Sequence, residues 1–264
     1  MLQLNQNVND NPVILVFGAL SGIGRAICAR LALAGARVTA TSRSAEKLET
    51  LSGLLPDVVT RQADPAVPAD VLGVLTETQS RHGRLDGVVN CAGSLLLKPA
   101  HLTTDDEWSQ VMQANLTTAF NVVRAATGIM SRARTPGSIV LLSSAAAQFG
   151  IANHEAIAAA KAGVIGLARS AAATYARQGI RVNCVAPGLT RTPLTETITS
   201  NPRSLSASTG MHALGRIGES DDVASAVVWL LDPANSFVTG QVIAVDGGLS
   251  TLQPRMVQPT QPNS

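Results

Sequence analysis

Charge is scarce in this chain. Charged residues make up 14% of its 264 positions, and the formal net charge is only +2. No cluster of Lys or Arg occurs. That argues against nucleic acid as the main partner, because phosphate binding depends on concentrated basic side chains. Cysteine is scarce as well: Cys28, Cys91 and Cys184 stand apart, with no metal-ligand spacing. Scattered, odd-numbered thiols in a chain of this length imply reduced cysteines, no metal site and a cytoplasmic location. The polar, Asn-rich opening MLQLNQNVNDNP lacks a basic region followed by an apolar one, so no secretory signal is expected. No apolar run approaches the roughly 20 residues that span a bilayer, and no membrane partner is expected. Tyrosine is almost missing. Tyr175 is the only one in the sequence, so few positions can use a phenolic proton.

What the chain has in quantity is apolar bulk, 45% by residue count, enough for one domain of the larger α/β kind. The run Val13-Ile14-Leu15-Val16-Phe17 is wholly apolar, as in strands buried on both faces. A helix opens at Gly22-Ile23-Gly24 and runs to about Ala34, with Gly35 closing it before a strand at Arg37 to Thr41. Further helices are expected at 45–55, 68–82, 108–132, 154–178 and 221–231. Further strands are expected near 57–61, 85–90, 138–142, 181–185 and 242–245. Alternation of this kind implies a doubly wound parallel sheet of about seven strands, α/β in class, with helices on both faces. No linker or repeat divides it. Residues 1–12 read as a polar extension, 13–250 as one domain, and 251–264 as a Pro/Gln-rich tail expected to be disordered.

Gly18-Ala19-Leu20-Ser21-Gly22-Ile23-Gly24 lies between the first strand and the first helix. Glycines let backbone approach a pyrophosphate, and a helix N-terminus offers unpaired N–H groups with a partial positive charge. This spacing is G-x-x-x-G-x-G rather than the usual dinucleotide pattern. Together with Asn90-Cys91-Ala92-Gly93, Asn115, Ser144, Lys161, Pro187-Gly188, Thr192 and the closing Val245-Asp246-Gly247-Gly248, the sequence resembles the short-chain dehydrogenase/reductase family, in its 3-oxoacyl-reductase-like branch. The resemblance runs from about Val13 to Leu249.

The resemblance implies a Rossmann-type fold, a nicotinamide dinucleotide across the carboxyl ends of the strands, a small-molecule substrate and a homotetramer or dimer. It places Gly18, Leu20, Ser21, Gly22, Ile23 and Gly24 at the pyrophosphate. Asp64 falls by the adenine, with Pro65 next to it lacking the N–H that relatives use. Asn90, Ala92 and Gly93 fall on the adenosine-ribose side and Thr192 by the carboxamide, and Pro187 and Gly188 also belong to the cofactor-binding set. Ser42 stands where NAD-preferring members place an acid, and Arg43 follows; a guanidinium there suits the 2′-phosphate of NADP, so NADPH is expected over NADH. The other reading of Arg43 is a solvated surface residue. Phe17 replaces the threonine that commonly precedes the glycines.

At the reacting end, Asn115, Ser144 and Lys161 match the family's catalytic positions, but the tyrosine expected four residues before the lysine is Ile157. Ile157 exchanges no proton. Tyr175 lies fourteen residues past Lys161, roughly 20 Å along a helix, too far to substitute. His154, seven before Lys161, is the candidate replacement donor, since imidazole titrates near neutrality. Its other reading is a residue that, with Asn153, merely begins the helix. Two functions follow as expectations: an NADPH-dependent reductase of C=O or activated C=C with an altered proton donor, or a family member repurposed to bind a dinucleotide or ligand without redox chemistry. The 190–214 segment, rich in Ser and Thr, is expected to be a flexible lid.

Overall fold

The computed structural model describes residues 11–253. The expected disorder of the tail from residue 254 onward, and most of the polar extension, lie outside the described residues.

Seven parallel strands form the sheet: β1 (Val13–Phe17), β2 (Arg37–Ser42), β3 (Val59–Gln62), β4 (Gly87–Asn90), β5 (Gly137–Leu142), β6 (Ile180–Pro187) and, after the short strands named below, β9 (Val242–Val245). Their spatial order is β3-β2-β1-β4-β5-β6-β9. The order reverses between β1 and β4, so the loops leaving these two strands part company. A crevice opens at their carboxyl ends, as in other doubly wound sheets. Phe17 and Asn90 pair as the last residues of the two strands.

Both faces of the sheet are covered, which explains the unbroken apolar run of β1. Leu15 and Phe17 join the core beneath α3 (Pro68–His82), α5 (Thr118–Ala133) and α6 (Glu155–Tyr175). Ile14 and Val16 join the opposite core beneath α1 (Gly22–Leu33), α2 (Ala45–Leu54) and α9 (Ser220–Leu231). Successive strand side chains point to opposite faces, so each must be apolar. Phe17 is fully buried; the position read as a missing threonine is a core position here.

The long helix expected at 108–132 is longer and irregular. It begins at Asp105, because Thr104 and Glu107 close a capping box. It continues as α4 (Asp105–Met112), one π-helical turn (Gln113–Thr117), and α5. The supposedly flexible lid is folded too. Thr190–Arg191 (β7) pairs with Gly218–Glu219 (β8), and between them lie α7 (Glu196–Thr199) and α8 (Pro202–Met211). Asn201 caps α8 by accepting from the Arg203 and Ser204 N–H groups, and Pro202 occupies the first turn.

The segment Glu155–Gln178, containing α6, is long and apolar enough by composition to cross a membrane, which the search for apolar runs in the sequence did not find. Half of its most apolar window is buried inside the fold. It is a core helix, and it carries Lys161.

Candidate active site

The crevice holds two adjoining cavities. One, about 820 Å³, is lined by Gly18, Leu20, Ser21, Ser42, Arg43, Asp64, Ala92 and Gly93. The other, about 600 Å³, is lined by Ile23, Asn115, Ser144, His154, Ile157, Lys161, Pro187, Gly188 and Thr192. Ser21, Cys91, Gly93, Ser94 and Leu95 belong to both walls. Of the residues expected at the site, Gly22, Gly24 and Asn90 line neither.

Those three act on the backbone instead. Gly18 sits at φ +72°, and a Cβ on it would lie 2.7 Å from the Ala92 nitrogen. A Cβ on Gly24 would lie 2.3 Å from the Gly18 carbonyl oxygen. The loop therefore closes tightly enough to leave the start of α1 facing the crevice. Ser21 caps α1 by accepting from the Gly24 N–H at 2.9 Å, while Gly22 and Ile23, the first two helical residues, have no carbonyl one turn back to serve. Gly22 also lies against Thr192, since a Cβ on it would be 2.9 Å from the Thr192 methyl. Asn90, expected to line the adenosine-ribose side, is buried with its amide turned inward. It accepts from the Ala92 N–H at 3.2 Å and donates to Thr118 Oγ1 at 3.4 Å, shaping the loop.

At the outer end, the Arg43 guanidinium is exposed and makes no ion pair or side-chain hydrogen bond among the described residues. Asp64 lines the cavity, but its Oδ1 accepts from the Ala66 N–H at 2.9 Å and its own N–H donates to Asp70. Pro65 thus sits inside a closed turn leading into α3.

At the inner end, β5 delivers Ser143 and Ser144. Ser144 is extended, and its Oγ accepts from the Ala146 N–H at 3.2 Å. Ser143, which the sequence reading passed over, donates from Oγ to the Lys161 carbonyl at 3.0 Å and so pins α6 to the strand. The Lys161 ammonium donates to the Leu142 carbonyl at 2.8 Å. α6 approaches closely because it presents small residues: a Cβ on Gly163 would lie 2.8 Å from Leu116 of the π turn. In that turn Asn115 is buried and clamps the loop after β4, donating to Ser94 Oγ at 3.1 Å and accepting from the Ser94 N–H at 3.2 Å. Its amide also donates to the Val111 carbonyl at 2.9 Å.

Ile157 is buried with Ala156, Ala160 and Val111 and still reaches the cavity wall. His154 precedes α6 but makes no side-chain cap on it. Its Nδ1 lies 2.7 Å from the Ala152 carbonyl oxygen; a carbonyl only accepts, so Nδ1 carries the hydrogen and Nε2 is left over. The loop before it is held by Asn153, whose φ is +63° and whose carbonyl accepts from the Lys98 N–H at 2.8 Å.

A second histidine escaped the sequence reading. His212, buried at the end of α8, donates from Nδ1 to the Ser208 carbonyl and accepts at Nε2 from the Leu189 N–H at 3.2 Å. It ties the lid to the loop that follows β6.

Burial pushes Lys161 down to about 8. A lysine that holds its proton less tightly when folded makes the fold more stable as pH rises from about 8 toward its unfolded value of 10.5. Burial pushes the Cys28 and Cys184 thiols up to about 12, and these oppose the trend above pH 9. A difference measurement removes them. Relative to Lys161→Met, the wild type should gain about 2 kcal/mol between pH 7 and pH 9.5 in denaturant unfolding. A pH-independent difference would show the ammonium to be solvated.

Comparison with known proteins now bears on this geometry. The family profile described as Enoyl-(Acyl carrier protein) reductase matches residues 18–250. The 3-oxoacyl-[acyl-carrier-protein] reductase FabG of Thermotoga maritima is 36% identical over 246 residues, covering 91% of this chain and 98% of the relative. The chain belongs to the short-chain dehydrogenase/reductase family. It is therefore one of a family of oxidoreductases, and the solved structures agree. A short-chain type dehydrogenase/reductase from Mycobacterium ulcerans superposes with a TM-score of 0.88 at 33% identity, covering 92% of this chain and 91% of that one. ElxO with NADP bound superposes with a TM-score of 0.86 at 28% identity, covering 92% of this chain and all of the other.

Proposed function

We propose that the chain reduces a carbonyl, or a C=C conjugated to one, with NADPH, and that His154 supplies the proton. One observation carries this reading: Ser144, His154 and Lys161 line a single cavity that continues into a glycine-and-helix cradle. The cradle fits a dinucleotide, because Gly18 and Gly24 let the loop close tightly and leave the start of α1 facing the outer cavity. The nicotinamide, when bound, supplies the hydride.

The chain's own residues do the rest. The Gly22 and Ile23 N–H groups, with the helix dipole behind them, receive the pyrophosphate. Arg43 meets the 2′-phosphate. Lys161 holds the nicotinamide ribose, Asn115 keeps the adjoining loop closed, and the Ser144 hydroxyl donates to the substrate oxygen. His154, anchored through Nδ1, releases the Nε2 proton of its imidazolium to that oxygen as negative charge develops there. Ile157, beside it, keeps the site dry but moves no proton. The second expectation, a non-redox binder, draws no support from relatives that are named as reductases and dehydrogenases.

Titration with NADPH and NADH, followed by turnover of a ketone and enoyl-thioester panel, tests the reading; failure to bind either cofactor sinks it. Arg43→Ala should weaken NADPH by about 10–100-fold, the range of a lost charge-assisted contact, and leave NADH nearly unchanged. Equal losses for both cofactors would remove Arg43 from the 2′-phosphate. Trp108 and Phe120 remain 42% and 47% exposed along the α4–α5 rod, which supports a homo-oligomer packed there, to be checked by sedimentation.

A further inference from the structure

We propose that the inner cavity selects a neutral substrate with an apolar body and rejects one that carries a carboxylate or phosphate on that body. The inference rests on the reductase reading above and adds the chemical class of its substrate.

The wall has one lysine, Lys161, and two imidazoles, His154 and His212. Among the described lining residues there is no Asp, Glu or Arg. Lys161 is no free anchor for a substrate anion. One of its three N–H groups donates to the Leu142 carbonyl, and the ammonium lies toward Gly93, 3.4 Å from where a Gly93 Cβ would be, where the proposed ribose contact takes it up. The lid carries Glu196 and Arg203, but both are exposed and outside the lining. Arg191 at its base is paired with Glu219. A substrate anion held against the apolar wall, away from Lys161 and His154, would lose water and gain no charged partner, the situation that costs a buried charge most.

The apolar part of the wall is built from separate elements that converge. Leu97 comes from the loop after β4, Ile151 and Ile157 from the approach to α6 and its first turn, and Leu194, Ile198 and Met211 from the lid. Leu97, Leu194 and Met211 remain 42%, 52% and 38% exposed. These large side chains gain burial when an apolar body lies between the lid and the opposite loop, with a driving force proportional to the area covered. The polar groups near Ile157, Ser144 and His154, suit a single carbonyl oxygen. The Asn, Ser and Thr side chains elsewhere in the wall are neutral, so they offer no charge to pair with an anion.

Ethyl levulinate and levulinate share one ketone and differ in a single charge. Each is titrated calorimetrically into the protein saturated with NADP, at pH 8.5. A medium-chain methyl ketone serves as the apolar reference. The ester and the methyl ketone should bind at least about 30-fold more tightly than levulinate, and Met211→Arg should reverse the order by giving the carboxylate a partner. Levulinate binding as tightly as the ester overturns the proposal, and so does no binding of any of the three to protein that holds NADP. Failure to take up NADP at all is a different result: it overturns the reductase reading and is seen before any ketone is added.

Discussion

His154→Ala should slow ketone reduction by about 10²–10⁴-fold, the worth of a positioned general acid, with cofactor affinity essentially unchanged. The size of the expected loss follows from how few alternatives the cavity offers. Ile157 has no exchangeable proton. Ser144 is a hydroxyl whose oxygen already accepts from the Ala146 N–H. Tyr175 sits at the far end of α6. Lys161 is the next possible acid, since burial brings it down to about 8, but its ammonium is directed at the Leu142 carbonyl. His154→Gln retains size and hydrogen-bonding capacity but no titratable proton, so it should fail as completely as alanine. Adding Ile157→Tyr to His154→Ala should recover turnover, because a phenol there would border the same cavity. Unchanged kcat in both single variants would transfer the role to Lys161.

Gly24→Ala should be the most damaging single methyl in the molecule. The new carbon would be placed 2.3 Å from the Gly18 carbonyl and 2.9 Å from the Ala19 Cα. Both obstacles are backbone, so no side-chain rotation relieves the clash. We expect a loss of about 3 kcal/mol, the upper part of the usual overpacking range, and a Tm lower by roughly 6–12 °C. NADPH binding should be lost as well, because the only relief is to push the loop away from the helix N-terminus. Gly53→Ala is the control: its Cβ would meet nothing within 4 Å, and it should not destabilise. A Gly24→Ala protein with normal melting and normal cofactor affinity would mean that this loop is not the cradle.

The parts of this molecule that could be read from its sequence are those whose determinants are local. β1 and β5 are buried on both sides, and their unbroken apolar runs say so. The glycine turn is legible at a strand–helix junction, whereas Ser144 and Lys161 stand out only through the family resemblance; the fold puts both on one cavity wall. The start of α4 was missed by three residues, although Thr104 and Glu107 stand at capping-box spacing. The lid helices were missed because Ser and Thr dilute their apolar periodicity, although Asn201-Pro202 is a helix-start signal. His212 had no such signal. Its role is fixed by Leu189, twenty-three residues earlier in the chain, and nothing in the intervening sequence forecasts that contact. Asn90 is used within its own loop, where its amide meets Ala92 and Thr118, contacts that a strand-end Asn does not announce in sequence.

The π turn at Gln113–Thr117 has a wider consequence. It stores one residue more than a regular helix of the same height would hold, and each helical residue turns the rod by about 100°. α4 therefore meets α6 through Val111, α5 meets the sheet through Val122 and Met130, and Asn115 between them faces the crevice. A straight helix could not satisfy all three orientations with this spacing. Deleting one residue from 113 to 117 would let the rod become regular with both halves near their present phase, and Asn115 would lose the bulge that sets it toward the crevice. The irregular turn works as a gear between two packing surfaces, and the site is mounted on the tooth.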